Sequence, residues 1–401
     1  MRQDSPDSIK PVILSEAKNL HVAYQRFFAS LRMTDTAVKE CLMEQDRTPQ
    51  VLDDSLTPDN LAERLATLTT GYTPDPEREL EEPSYYDYPV LKAPTWRWEI
   101  IWYFFFGGLA AGCYVIASIA SLFGSQEDRA VARTGYYLSL LSILPCPALL
   151  IKDLGRPERF LHMLRIFKVK SPMSMGTWAL VSFSLFSGLT AVIQAARDGI
   201  LGRWWGARLL AGLPQRLIAL PGTALGFFLG GYTGVLLTAT SVPLWSRSKV
   251  LGGIFITSAI STSTALISLV LRISGAPART LHKLERLEWS AILVEMTGLL
   301  TFLRGTGRAA RPLVGTAPAE HGRTFWSFVF GGGLALPWLL QSFSLLGGRR
   351  KNQKNNGRGL VISLLVLMGG YFLRRTIIEA GHSSSRDART TLWNARRYDN
   401  S

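Results

Sequence analysis

The stretch Trp98-Glu99-Ile100-Ile101-Trp102-Tyr103-Phe104-Phe105-Phe106-Gly107-Gly108-Leu109-Ala110-Ala111-Gly112 carries a single charge, Glu99, and the run stays apolar to residue 123. A hydrocarbon core of about 30 Å needs about 20 predominantly apolar residues in a helix. The stretch therefore reads as a membrane-spanning helix, with Trp98 and Trp102 at the interfacial belt. Working outward, stretches of similar character lie near 100–123, 134–151, 174–196, 216–242, 250–272, 287–303, 325–347 and 359–378. The expected fold is an all-α integral membrane protein of about eight transmembrane helices. The sixth stretch is the shortest and carries Glu295 in its interior, so it is either strongly tilted or turns a polar face into the bundle. Gly107-Gly108, Gly230-Gly231, Gly331-Gly332-Gly333 and Gly369-Gly370 lie within the spans, where small residues let helix backbones approach.

Composition agrees with this reading. Of 401 residues, 47% are hydrophobic and only 18% charged, too apolar a balance for an ordinary soluble chain of this size. The net charge of +14 would suggest nucleic acid in a soluble protein. Here the basic residues sit mostly in connections between apolar runs, where they anchor helix ends and meet anionic headgroups, so no nucleic-acid partner is expected. They are divided almost evenly between the two sets of connections, and the positive-inside rule leaves the orientation open. Cys41, Cys113 and Cys146 are scattered. His21, His162, His282, His321 and His382 lie in polar segments or at helix ends. Neither an iron–sulfur cluster, a metal site nor a transmembrane bis-histidine haem is expected in the chain.

Before Pro94 the character changes. Residues 44–83 are acidic, Pro-containing and poor in aromatics, and residues 1–84 are expected to form a disordered N-terminal extension. The first 35 or so resemble a translated repetitive element, which would put the true start at Met33 or Met43. The transmembrane domain is expected over 85–390 and a polar tail over 391–401.

Four constellations carry possible chemistry. Glu99, Tyr103 and Gly107 recur at four-residue spacing, so an acid, a phenol and a gap without a side chain share one helix face against which a flat ring could slide. The second connection, Lys152-Asp153-Leu154-Gly155-Arg156-Pro157-Glu158-Arg159, is dense in charge; Asp153 and Arg156 could form an ion pair that merely ends a helix. Tyr232, flanked by Gly230, Gly231, Thr233 and Gly234, is either a packed residue or a ligand contact. Glu295 must be protonated, paired with an arginine such as Arg374, or facing water; each option makes the two residues proton-pathway candidates, beside the alternative of a structural ion pair.

The run Tyr85-Tyr86-Asp87-Tyr88-Pro89 through Trp98-Glu99, leading into Tyr103-Phe104-Phe105-Phe106-Gly107-Gly108, resembles the opening of the polysulfide reductase membrane subunit family, the NrfD-like or PsrC-like integral membrane subunits. The resemblance continues through 153–165, Ser171-Pro172-Met173-Ser174-Met175-Gly176-Thr177-Trp178, Tyr232-Thr233-Gly234 with Pro243 and Trp245, and Gly369-Gly370-Tyr371-Phe372-Leu373-Arg374-Arg375 with Glu379-Ala380-Gly381. It covers about 85–390. Tyr103 stands where some relatives have histidine, and Ile100 where they have asparagine.

The resemblance implies two four-helix bundles in a bacterial inner membrane, with no haem or metal. It implies partners too: a four-cluster ferredoxin-like iron–sulfur subunit, and through it a molybdopterin catalytic subunit or a multihaem cytochrome, as in polysulfide reductase or formate dehydrogenase-like complexes. Menaquinone or ubiquinone would bind in the first bundle as exchangeable substrate. Carried over by motif, Tyr103, Tyr232 and Asp153 match positions near the quinone. The expected quinone contacts are Trp98, Tyr103, Gly107, Gly108, Arg156, Tyr232 and Thr233, with Glu99 and Asp153 as candidate catalytic proton acceptors. Quinol oxidation releases two electrons and two protons, so such a site needs a proton acceptor and partners for two ring oxygens. The competing readings are a stand-alone transporter or proton channel and a purely structural anchor.

Overall fold

The computed structural model describes residues 91–202, 204–315, 321–346, 356–388 and 391, all within Glu82–Ser401, the second of two units into which the chain divides. The expected N-terminal extension and all but the first residue of the expected tail lie outside the described residues. Every regular element described is helical.

Helix α1, Trp98–Phe123, begins just after Pro94 releases the chain from an extended segment and ends where Gly124 turns the backbone out. A turn over Gln126–Asp128 is closed by a capping box between Ser125 and Asp128. It leads into α2, Arg129–Ile143, and α3, Pro145–Asp153, which continue as one path broken at Leu144, where Pro145 and Pro147 remove backbone donors. A short helix α4, Phe160–Arg165, precedes α5, Pro172–Arg197, whose start is marked by the Ser171 cap and by Pro172 in the first turn. After α6, Trp205–Gly212, come α7, Gln215–Thr238, a single turn α8, Pro243–Ser246, and α9, Leu251–Ile273. Helix α10, Ala278–Thr306, ends at Gly307, whose positive φ of 56° reverses the chain. It is followed by α11, Arg311–Val314, and by a π-helical segment, Phe325–Ala335, that runs into α12, Leu336–Leu346. Helix α13, Asn356–Arg386, closes the described fold.

Among the described residues, six helices are long and apolar enough to cross a membrane: Trp98–Phe123, Gln126–Asp153, Pro172–Arg197, Gln215–Thr238, Leu251–Ile273 and Gly357–Arg386. The two remaining stretches read as spans from sequence differ for identifiable reasons. Helix α10 is long enough, but His282, Lys283, Glu285, Arg286, Glu288 and Glu295 make it too polar. The 325–347 stretch is divided between the π-helical segment and α12.

Helix α1 is the axis of the fold, buried along most of its length and packed by α2, α7, α9 and α13. Most glycines serve these contacts. A Cβ on Gly112 would come within 2.5 Å of the Ala259 carbonyl in α9, and one on Gly234 within 2.5 Å of the Leu251 carbonyl. Gly333 of the π-helical segment and Gly369 of α13 lie backbone against backbone. With no solvent to drive association inside a bilayer, such close approach is how helices hold each other. Trp96 stacks on Trp245 at 5.3 Å, and Trp245 donates to the Ile377 carbonyl of α13 at 2.9 Å, tying the segment before α1 to α13 at one end of the bundle. At the opposite end Lys283 of α10 holds Asp128 at 2.7 Å.

Candidate functional site

The face predicted along α1 exists, and α3 and α7 close on it. Glu99, in the first turn of α1, is buried at 8% exposure. Its Oε1 faces the Lys152 ammonium of α3 at 3.7 Å, while its Oε2 is buried without a hydrogen-bond partner. Lys152 also sits 4.3 Å above the ring of the half-exposed Trp98. Asp153, next on α3 and half-buried, lies within range of the Glu99 charge and of the Arg97 guanidinium. Expected as its partner, Arg156 instead lies exposed on the following turn and makes no ion pair with Asp153 among the described residues.

One turn deeper, Tyr103 is buried within electrostatic range of Cys146 in α3 and of Tyr232 in α7. The Tyr232 hydroxyl donates a short hydrogen bond to the Pro172 carbonyl at the start of α5, and its ring stacks on Phe228 at 5.5 Å. The ring occupies the space that a side chain on Gly176 would fill. A further turn down, the nearest atom to a Cβ built on Gly107 would be Cys146 Sγ at 4.0 Å, so this position stays open. Gly108 does not: a Cβ there would lie 2.7 Å from Arg374 Nη2. Thr233, buried beside Tyr232, completes the α7 contribution.

The structure thus gathers Glu99, Tyr103, Gly107, Asp153, Tyr232 and Lys152 near the Trp98 end of α1, and leaves Gly108 and Arg156 outside that group. Chemically the group offers an unpartnered carboxylate oxygen, a cation and two phenols between apolar helix faces. The Tyr232 oxygen, with its proton directed at Pro172, is free to accept. Lys152, Gly176 and the Pro172 carbonyl were not singled out in the sequence; only the charge density of the second connection hinted at the first.

Arg374 and Glu295 occupy the neighbouring interior. Both are almost fully buried. Arg374 Nε donates to the Phe104 carbonyl at 3.0 Å, and Nη1 to the Gly370 carbonyl at 2.7 Å and to Ser258 Oγ at 3.2 Å. Glu295 Oε2 accepts from Ser261 Oγ at 2.7 Å, and the same hydroxyl lies 3.1 Å from the Ser258 carbonyl, so Ser258 links the two charged groups. They form no direct ion pair within 4.0 Å but one connected polar network.

A cavity of about 390 Å³ lies at the far end of the bundle, lined by Ile116, Phe123, Val131, Ile260, Leu284 and their neighbours, and shares no residue with the Glu99–Tyr232 group. No group of three or more His, Cys, Asp or Glu among the described residues could hold a metal ion.

The NrfD homolog of Haemophilus influenzae is 26% identical over 318 residues, covering 74% of this chain and 98% of that protein. Protein NrfD of Escherichia coli is 26% identical over 274 residues, 62% of this chain and 84% of its own. A selenate reductase subunit of Mesobacillus selenatarsenatis is 24% identical over 92 residues, 23% of this chain and 21% of that protein. The polysulphide reductase NrfD family matches residues 90–384. The chain is a multi-pass membrane protein that belongs to the polysulphide reductase NrfD family.

Proposed function

We propose that this chain is the membrane-anchoring, quinone-interacting subunit of a multi-subunit respiratory oxidoreductase in a bacterial inner membrane. It exchanges electrons between the quinone pool and a partner iron–sulfur subunit of the four-cluster ferredoxin type, which serves a molybdopterin subunit or a multihaem cytochrome. Family membership supports the reductase context, as does the likeness to a selenate reductase subunit. In this reading α10 and the π-helical segment with α12 also cross the bilayer, making eight spans in two four-helix bundles.

The observation that carries the quinone reading is the Glu99 Oε2 atom, buried, unpartnered and one turn from Tyr103. A buried acceptor without a partner is costly, on the order of 1–3 kcal/mol, and a quinol hydroxyl would satisfy it. The menaquinol or ubiquinol ring would lie between α1, α3 and α7, over Gly107. Glu99 takes a proton from one hydroxyl, with Asp153 as second acceptor, while Tyr103 and Tyr232 hold the ring oxygens. Trp98 and Arg156 would shape the approach from the membrane surface, Thr233 would form the wall beside Tyr232, and Gly108 makes room for the Arg374 guanidinium. Lys152 supplies countercharge to the Glu99 carboxylate. Glu295 and Arg374 would carry protons deeper in the bundle. Bound quinol supplies the electrons, which leave to the partner's iron–sulfur cluster; the reverse flow uses the same groups.

The test is turnover of the assembled complex with Tyr103→Phe and Tyr232→Phe. Quinol-dependent turnover is expected to fall while the subunit stays in the membrane; full activity in both variants would refute the site.

A further inference from the structure

Helices α9 and α10 run antiparallel, and two contacts set their register: Arg272 Nη2 meets Glu285 Oε1 at 2.5 Å near the Phe123 end, and Ser261 Oγ donates to Glu295 near the middle. The same register sets Ser268 of α9 opposite Glu288 of α10. Glu288 is 1% exposed and makes no ion pair among the described residues. Gln341 of α12 lies beside its carboxyl. Its own Oε1 is buried without a hydrogen-bond partner, as are Ser268 Oγ and Arg272 Nε of α9 and Gln341 Oε1 of α12. Isolated orphans occur in any fold, but four at one level of the helix packing, with Arg272 Nε beside Gly359 of α13, are groups that water satisfies when it has several polar partners.

The seam is connected at both ends. Towards the surface, Glu285 accepts from Arg272 and lies 3.3 Å from His282 Nδ1, a ring that is 44% exposed. Inward, Glu288 and Glu295 are seven residues apart, two helical turns or about 10.5 Å along one face of α10. Beyond Glu295 the Ser258–Arg374 network continues to the Phe104 carbonyl of α1. Glu285, Glu288, Ser268 and Gln341 stand apart from the Glu99–Tyr232 group, which lies at the other end of α1.

We propose that the seam between α9 and α10 is a hydrated proton inlet from the Phe123 end of the bundle. Glu288 is its first buried acceptor, Ser268 and Gln341 order its water, and Glu295 is its inner terminus. The inference rests on the reading of Glu295 as a proton-carrying group. Each step moves one proton and no electron: a hydrated proton from the aqueous phase, beside His282 and Glu285, passes to a Glu288 carboxylate oxygen and leaves its water behind, and Glu288 releases the proton through water towards the Glu295 carboxylate.

The test uses the purified complex in two measurements. Infrared spectroscopy during transfer from H₂O to D₂O should show a carboxylic acid band that shifts on exchange and is absent in Glu288→Gln. Ser268→Val, which keeps the carboxyl and puts methyls where water would sit, should slow that shift at least tenfold. In proteoliposomes Glu288→Gln should slow quinol-linked proton exchange at the Phe123 face at least tenfold while turnover in detergent stays within twofold. A wild-type complex with no exchangeable band, a band unchanged in Glu288→Gln, or exchange untouched by Ser268→Val would overturn the inlet. Absence of any quinol turnover in the wild type would instead overturn the quinone reading, and the infrared result would still decide the seam.

Discussion

Tyr232 and Gly176 share one space: the phenol ring lies where a side chain at 176 would stand, and the hydroxyl reaches past it to the Pro172 carbonyl. Gly176→Ala must therefore push the ring off its acceptor. We expect an overpacking cost of about 1–3 kcal/mol and a fall in quinol-dependent turnover similar to that of Tyr232→Phe. Thermal denaturation in detergent and steady-state kinetics on the same preparation measure the two effects. Wild-type turnover in a stably folded Gly176→Ala variant would show that the Tyr232 position does not matter for the chemistry.

Glu99→Gln keeps shape and burial but removes the proton acceptor. General-base groups contribute roughly 10²–10⁴-fold to rate, and a loss in that range is expected, with binding of a quinone-analogue inhibitor retained. Lys152→Met should lower turnover less and make it less sensitive to salt, because the ammonium is largely exposed and 3.7 Å from the carboxylate.

Arg374 holds Phe104, Gly370 and Ser258 from a fully enclosed position. Arg374→Met removes these bonds and leaves Glu295 without its nearest cation. Breaking one side of a buried charge network costs about 3–5 kcal/mol, so the variant should lose thermal stability and accumulate poorly in membranes. Glu295→Gln should be far milder in stability. Unchanged electron transfer with lost proton movement in that variant would separate the two roles, and no change in either would make Glu295 structural.

Gly333 and Gly369 meet backbone to backbone. Gly369→Val should separate the π-helical segment from α13 and cost more than the same change at Gly357, where a Cβ meets no atom within 4 Å. Midpoint temperatures of the two variants give the comparison directly.

Much of the fold was legible because a helix in lipid must be long and apolar, and five of the six qualifying helices are single uninterrupted runs of this kind. The Glu99–Tyr103–Gly107 face was legible for a local reason, since four-residue spacing is a property of the helix itself. What escaped depends on partners distant in sequence. Tyr232 is seated by Gly176 and Pro172 on another helix, and Gly108 receives a guanidinium from residue 374. Asp153 was expected to pair with Arg156 three residues on, but the chain turns at Gly155, where φ is +70°, and carries that guanidinium into solvent. Glu288 was readable in principle, two turns before Glu295 on the same face, yet it lies at the very edge of the predicted span, where an acid is unremarkable.

The clasp formed by the last helix has a consequence for biosynthesis. The Phe104 carbonyl takes its guanidinium donor from 270 residues later, and Trp245 finds its acceptor at residue 377. At about 5–20 residues per second, the ribosome takes roughly a quarter of a minute to most of a minute to deliver that arginine after Phe104 emerges. Until then the early helices wait in the bilayer unlatched, so a chain cut short just before Arg374 should be as damaged as one cut short soon after Phe104.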